Sequence, residues 1–273
     1  MKYAYHLFLF GLTFTILSCL QGDPHHTAQP SLVTSAIKWH DSLQRHLPKN
    51  MDTTIVVHDA IGNQLKFHQY IKAVFNHEAI LYMDKGVWKL HRLTKTAKDS
   101  LERDDHAIAR IDRAMAYRTR DTISSWQTKL NAIAQTLAQA DHIMVFKRER
   151  LMIVKRKGVK VLSFKINLGW SPKGQKKFDG DGKTPEGTYY IDLKQSRSDN
   201  LYKSFWISYP NASEILIAKQ QGLKPGVGIM IHGTPTAKIR SKDWTNGCIG
   251  LQNKDLDTLF KHVGNGAVIE INK

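Results

Sequence analysis

The strongest constraint on this chain is a change of hydrophobic period near residue 141. Upstream, Ile123, Trp126, Leu130, Ile133 and Leu137 recur at spacings of three and four, which lines them along one side of a helix. Asp121 or Thr122 can start that helix as an N-cap. Ile108, Ile111 and Met115 make a shorter stripe of the same kind. Downstream, Leu162, Phe164, Ile166 and Leu168 alternate with polar neighbours, the period of a half-buried strand. The two textures together predict an α+β protein: a helical region over 34–140, then a β-rich part over 141–273. The helical stripes read as core packing, not as a cofactor site.

The β-rich half divides further. Glycine and proline punctuate residues 169–187, and a strand is expected at Thr188–Leu193. "GVGIMI" (226–231) reads as a short buried strand ending at His232, and "GAVIEI" (266–271) as a closing strand. Between them Leu256, Leu259, Phe260 and Val263 fall at helical spacing. Asn253 can cap that helix, with Asp255 and Asp257 in its first turn and Gly264 after its end.

The N-terminus, MKYAYHLFLFGLTFTILSC, has one lysine (Lys2), an apolar run from Leu7 to Leu17 and a small Ser18. This is the layout of a secretory signal, and the run falls short of the roughly 20 apolar residues that span a bilayer. Ile16-Leu17-Ser18-Cys19 resembles a bacterial lipobox, which implies lipidation at Cys19, an anchor in the membrane and a 1–19 signal of lipoprotein type. An ordinary cleaved signal is the alternative. Both readings export the protein to the cell envelope, at the periplasmic face. Residues 20–33, with two prolines and the pair His25 and His26, read as a solvated tether and not as a metal site.

Export sharpens the cysteine count. The chain has two cysteines, Cys19 and Cys248, so a lipidated or removed Cys19 leaves Cys248 without a partner in a compartment where thiols usually pair. The net charge of +16 raises the possibility of nucleic acid. However, the 40 lysines and arginines are spread along the chain, and no nucleic-acid module is present. A basic surface suits anionic envelope polymers or lipid head groups better.

Two motifs in the glycine-rich stretch fail. "GDGKT" (180–184) resembles the end of a phosphate-binding loop, but Lys177 stands where the first glycine is needed and Pro185 breaks the helix. "DGDG" resembles a calcium loop, but Lys183 and Tyr190 stand where ligands are required. Cys248 and His232 survive. A free thiol is a weak nucleophile at neutral pH until a base or a positive field favours its thiolate. A histidine closing a strand can act as that base and then as the acid. Gly247 permits a tight turn in which N–H groups at or near Cys248 form an oxyanion hole. The order His before Cys argues against papain-like peptidases. A structural thiol is the alternative. A zinc site drawn from Cys248, His232 and Asp243 lacks the usual ligand spacing.

The second half, over about 141–273, resembles a YkuD-type L,D-transpeptidase catalytic domain. The resemblance rests on His232-Gly233 followed by Thr245-Asn246-Gly247-Cys248-Ile249-Gly250-Leu251-Gln252-Asn253. It extends through Gly169, Pro172, Gly174, Lys176, Gly180, Asp181, Thr184, Pro185, Glu186, Gly187 and Tyr189 of "GWSPKGQKKFDGDGKTPEGTYY". Three departures stand out: Asn246 replaces the usual second histidine, Gly250 replaces the usual arginine, and the spacer after His232 is slightly short. "DWTxGCI" before a small residue is similar to a branch that includes hydrolases.

The resemblance implies that Cys248 attacks an amide carbonyl at a diaminopimelate or similar L-centre of a peptidoglycan stem peptide. His232 is the implied general base and acid, and Gly247 shapes the oxyanion region. Gly233, Asp243, Trp244, Thr245 and Asn246 are the implied substrate-side residues. Asp243 and Thr245 also read as turn residues, and Trp244 as core. The thioester then passes to an amine, as a transpeptidase, or to water, as a carboxypeptidase or endopeptidase; losing the arginine removes a carboxylate clamp. No cofactor is implied, and carbapenems are expected to acylate Cys248. No family is recognised in the 34–140 region, which reads as a module that packs on the catalytic part, covers its cleft or binds an envelope protein. A non-catalytic wall-binding protein and a scaffold lipoprotein are the rival readings.

Overall fold

The computed structural model describes residues 38–103 and 125–273. The signal and tether with Cys19, the stripe Ile108, Ile111 and Met115, and the start of the next stripe at Asp121, Thr122 and Ile123 all lie outside them.

The region upstream of 140 is only partly the helical one that the apolar spacing predicts. Helices are present, as α1 (Phe67–Phe75), α2 (from 95, described to 103) and α3 (Ser125–Leu137), but a sheet accompanies them. Its strands are β1 (Val57–His58), β2 (Gln64–Leu65), β3 (Ala79–Asp84) and β4 (Val87–Arg92), in the order β2-β1-β4-β3. The signal for it was local turn chemistry. Lys85 and Gly86 both take positive φ, 54° and 78°, in the two-residue loop that joins β3 to β4. A loop with left-handed residues at both positions matches strand twist and sets up a hairpin. In α3, Leu130, Ala134 and Leu137 are fully buried, and Trp126 and Ile133 pack partly buried beside them, as the stripe predicts.

The second half forms an eight-stranded sheet: β5 (Ala140–Phe146), β6 (Leu151–Arg156), β7 (Val159–Lys165), β8 (Gly187–Ser196), β9 (Lys203–Ile207), β10 (Met230–Gly233), β11 (Ile249–Leu251) and β12 (Val263–Asn272). Their order is β11-β10-β9-β8-β12-β5-β6-β7. The last strand thus lies inside the sheet, parallel to β5 and antiparallel to β8. The two sheets share one core. The Gly86 N–H donates to the Gly266 carbonyl at 2.9 Å. Arg156 of β6 pairs with Asp52 and donates to the Leu137 carbonyl at the end of α3.

Three local details differ from the sequence expectation. The strand ending at His232 starts only at Met230, because Gly226 and Gly228 are left-handed (φ 80° and 79°) and break the pairing before it. A helix α4 (Ala212–Gln220) follows Asn211, whose side chain caps Glu214 in a reciprocal capping box; the Asn-x-x-Glu spacing carried that signal. Helix α5 (Asn253–His262) is capped at Gln252 without a side-chain bond, and it runs straight into β12 through an extended Val263. Asn253 is therefore no cap, and Gly264 does not supply a left-handed stop. The Asn253 Oδ1 is instead spent on the Thr234 N–H, at 2.9 Å, which ties α5 to the end of β10.

Candidate active site

The site is built by register. β10 pairs antiparallel with β9, matching Met230 to Trp206 and His232 to Ser204. On its other side it pairs parallel with β11, matching His232 to Gly250. Because side chains alternate along a strand, Met230, His232, Ser204, Trp206 and Gly250 share one face. The alternate residues Phe205, Ile231 and Ile249 are fully buried on the other face, in the core. Cys248 immediately precedes β11, two residues before Gly250, and its Sγ lies against the Gly228 carbonyl just ahead of β10.

His232 is buried, and its Nδ1 lies 2.8 Å from the Gly233 carbonyl oxygen. A carbonyl can only accept, so Nδ1 carries the proton and Nε2 keeps its lone pair. Burial pushes the imidazole below its ordinary pKa, outweighing the Gly233 bond that favours the charged form; Arg197 adds to the lowering and Asp199 opposes it. Trp244 stands edge-on to the ring, with centroids 5.5 Å apart at 70°.

Cys248 is a free, half-buried thiol whose Sγ donates to the Gly228 carbonyl at 3.7 Å. Burial pushes it above its ordinary pKa, while the Met230 N–H and the charges of Lys176 and Arg197 pull the other way. Both groups are therefore held neutral at rest. That arrangement stores a base next to an acid and can transfer the proton as the sulfur–carbon bond forms.

The cysteine turn is fixed by its own short bonds. The Thr245 hydroxyl, buried, donates to the Cys248 carbonyl at 2.7 Å and accepts the Gly247 N–H at 3.2 Å. Thr245 thus holds the turn, and the Gly247 N–H is already engaged. Gly247 has φ 122°, and a Cβ there would lie 2.6 Å from the Lys183 carbonyl oxygen, so only glycine fits. Asn246 is exposed on the turn. Behind it, Thr184 accepts the Gly169 N–H at 3.1 Å. Buried Lys147 donates to the Thr184 and Gly174 carbonyls and to Glu186 at 2.7–2.9 Å. The "TPEG" block is a buttress for the cysteine turn.

Asp243 is committed elsewhere. Its oxygens accept Arg150 Nε at 2.8 Å and Nη2 at 2.7 Å, and Oδ1 also accepts the Leu168 N–H at 3.1 Å. Burial opposes its charge, but Arg150 and the Leu168 N–H hold the carboxyl below its usual range. It anchors the turn and does not orient His232. Gly250 leaves room for Trp244: a Cβ at 250 would lie 3.1 Å from Trp244 Cζ2. Gly233 packs against Asn253 Oδ1 and the Leu201 carbonyl, at 2.5 and 2.7 Å from an added Cβ.

Sequence reasoning missed the β8–β9 turn. Its Arg197 and Asp199 form an ion pair, and both act electrostatically on His232. Only an Arg-x-Asp spacing in a polar turn pointed to them. It also missed Ser204, a fully buried residue opposite His232. Among the described residues no group of three or more His, Cys, Asp or Glu could hold a metal ion, and no helix is long and apolar enough to cross a membrane.

The family model of the L,D-transpeptidase catalytic domain (YkuD) matches residues 140–271. The chain is 30% identical over 140 residues to the "Putative L,D-transpeptidase YafK" of Escherichia coli K12; the match covers 50% of this chain and 51% of that protein. The chain thus spans about half the length of the curated relatives it matches. Among solved structures, the helical cell shape determining protein Pgp2 of Campylobacter jejuni is 28% identical, over 48% of this chain and 47% of that one, with a TM-score of 0.41. Bd1075 of Bdellovibrio bacteriovorus is 24% identical, over 50% and 49%, with a TM-score of 0.38.

Proposed function

We propose, on the premise that residues 140–271 are a YkuD-type L,D-transpeptidase catalytic domain, that this protein is a cysteine-dependent acyl-transfer enzyme acting on peptidoglycan stem peptides. The observation that supports the proposal is the parallel register of β10 and β11, His232 to Gly250, which brings the segment that carries Cys248 alongside the strand that carries His232. His232 Nε2 takes the thiol proton as Sγ attacks the carbonyl of the L-centre, diaminopimelate or its analogue. The oxyanion is met by the Cys248 N–H, since the Gly247 N–H is held by Thr245. His232 then returns the proton to the leaving amine, and the thioester passes to an acceptor.

An amine acceptor gives a cross-link or anchors another protein; water gives an L,D-carboxypeptidase or endopeptidase. The hydrolytic outcome has one feature in its favour, namely Gly250, whose face is filled by Trp244 and not by the usual arginine. Of the sequence-implied substrate contacts, Gly233 and Trp244 stay beside His232 and Asn246 is exposed to reach a substrate. Asp243 and Thr245 serve the turn. Anchoring through a lipidated Cys19, placement in the envelope and docking of an envelope protein on the first half belong to the same proposal.

The test is mass spectrometry of purified muropeptides incubated with the mature protein, with Cys248→Ala alongside. Cross-linked or D-amino-acid-exchanged products that vanish in the variant support transpeptidation, and Cys248-dependent shortened stems support hydrolysis. No Cys248-dependent product from a varied set refutes the enzyme and leaves the wall-binding reading.

A further inference from the structure

The face that carries His232 also carries donors with nothing to donate to. Ser204, matched to His232, and Trp206, matched to Met230, lie on it by register. The Ser204 Oγ and the Trp206 Nε1 are buried without a partner among the described residues. Leaving such groups unpaired in the interior is unfavourable, so unpartnered donors grouped on one face point to a ligand that accepts.

Arg197 completes the group. It follows β8 by one residue, and its N–H is latched to the Tyr202 carbonyl at 3.0 Å. The same turn is tied to β10 through the Gly233 N–H, which donates to the Leu201 carbonyl at 2.9 Å. Asp199 takes the Nε and Nη2 of the guanidinium. Nη1 is left against a soft partner, the Met230 Sδ at 3.9 Å, on the same face as the orphan donors. The side chain is 21% exposed, so it is fixed but reachable. Its charge is felt by both His232 and Cys248.

We propose that Arg197, through Nη1, with the Ser204 hydroxyl and the Trp206 indole N–H beside it, forms the subsite for the carboxylate of the residue that follows the scissile amide in the stem peptide. It replaces, from a different strand end, the cation that Gly250 cannot supply. The inference rests on the function proposed above, because it names which group of that substrate the site holds. The chemistry fits: an arginine with one edge already fixed by a carboxylate keeps further N–H donors for a second anion. The α-carboxylate of a terminal D-amino acid also lies only a few bonds from the carbonyl that Cys248 attacks.

The test is calorimetric binding of a stem tetrapeptide ending in diaminopimelate-D-Ala, as the free acid and as the C-terminal amide, to the full-length Cys248→Ala protein. Binding needs no turnover, so the result does not depend on the acyl acceptor. The acid is expected to bind about tenfold to a hundredfold more tightly than the amide. Adding Arg197→Gln should abolish that difference, and adding Asp199→Asn should keep it, because the guanidinium remains. Equal weakening of acid and amide by Arg197→Gln, or loss of discrimination in Asp199→Asn as well, would mean that the ion pair only shapes the turn, and would overturn the clamp. Binding of both peptides without discrimination overturns the clamp but leaves the proposed substrate standing. No binding of either overturns the two together.

Discussion

At the scale of single residues the site rests on two groups held neutral. Alkylation of Cys248 by iodoacetamide follows the thiolate fraction, and burial raises this thiol. Its pH midpoint is expected above the ordinary thiol value of about 8.5; a midpoint well below it would indicate a preformed thiolate–imidazolium pair. His232 is shifted downward, so the acid limb of kcat/KM is expected below the ordinary imidazole range, giving a broad plateau instead of a narrow bell. Gly247→Ala forces a Cβ to 2.6 Å from a carbonyl oxygen at φ 122°. A loss of about 1–3 kcal/mol is expected, read as a lower Tm together with altered alkylation of Cys248. His232, Gly247 and Cys248 stand out in the sequence because their neighbours in the chain carry the pattern. Asp243 was not, since the partner that uses it, Arg150, lies 93 residues away and a sequence read locally cannot rank such pairings.

At the scale of elements, the turn before β11 is held by ties to distant parts of the chain. Asp243→Asn removes the charge that Arg150 was placed to meet, and a cost of about 1–3 kcal/mol is expected. The carboxyl is depressed in the folded state. Its contribution is therefore fully present above the unfolded carboxylate pKa and disappears as pH falls through the lower folded value. The Tm gap between wild type and Asp243→Asn should be open at pH 7 and closed in strong acid; a gap independent of pH would mean that the charge is irrelevant. The strands within 141–168, at 188–193 and at 266–271, and helix α5, were readable from apolar period and turn residues together. The β3–β4 hairpin and α4 were not, because their signals were a left-handed loop and a capping box, not an apolar repeat.

At the scale of the whole molecule, the two halves named by the change of period are packed into one another. Leu130 and Leu137 of α3 are fully buried, and Arg156 of β6 is bonded to Asp52 and to the end of α3. A fragment of 140–273 alone would expose that surface, and it is expected to melt well below the full chain or to aggregate. A fragment with the full-length Tm would show that the first half is an independent module. The fold class was legible because period reports burial, whereas the mutual packing was not, because it depends on which buried faces meet. The central claim is that Cys248 carries the acyl group, and intact-protein mass spectrometry of the full-length protein mixed with a stem tetrapeptide and quenched in acid tests it most directly. A Cys248-borne adduct equal in mass to the peptide less its terminal D-amino acid, absent in Cys248→Ala, is the predicted result. Substrate consumption with no adduct on Cys248, undiminished in the Cys248→Ala variant, would contradict it.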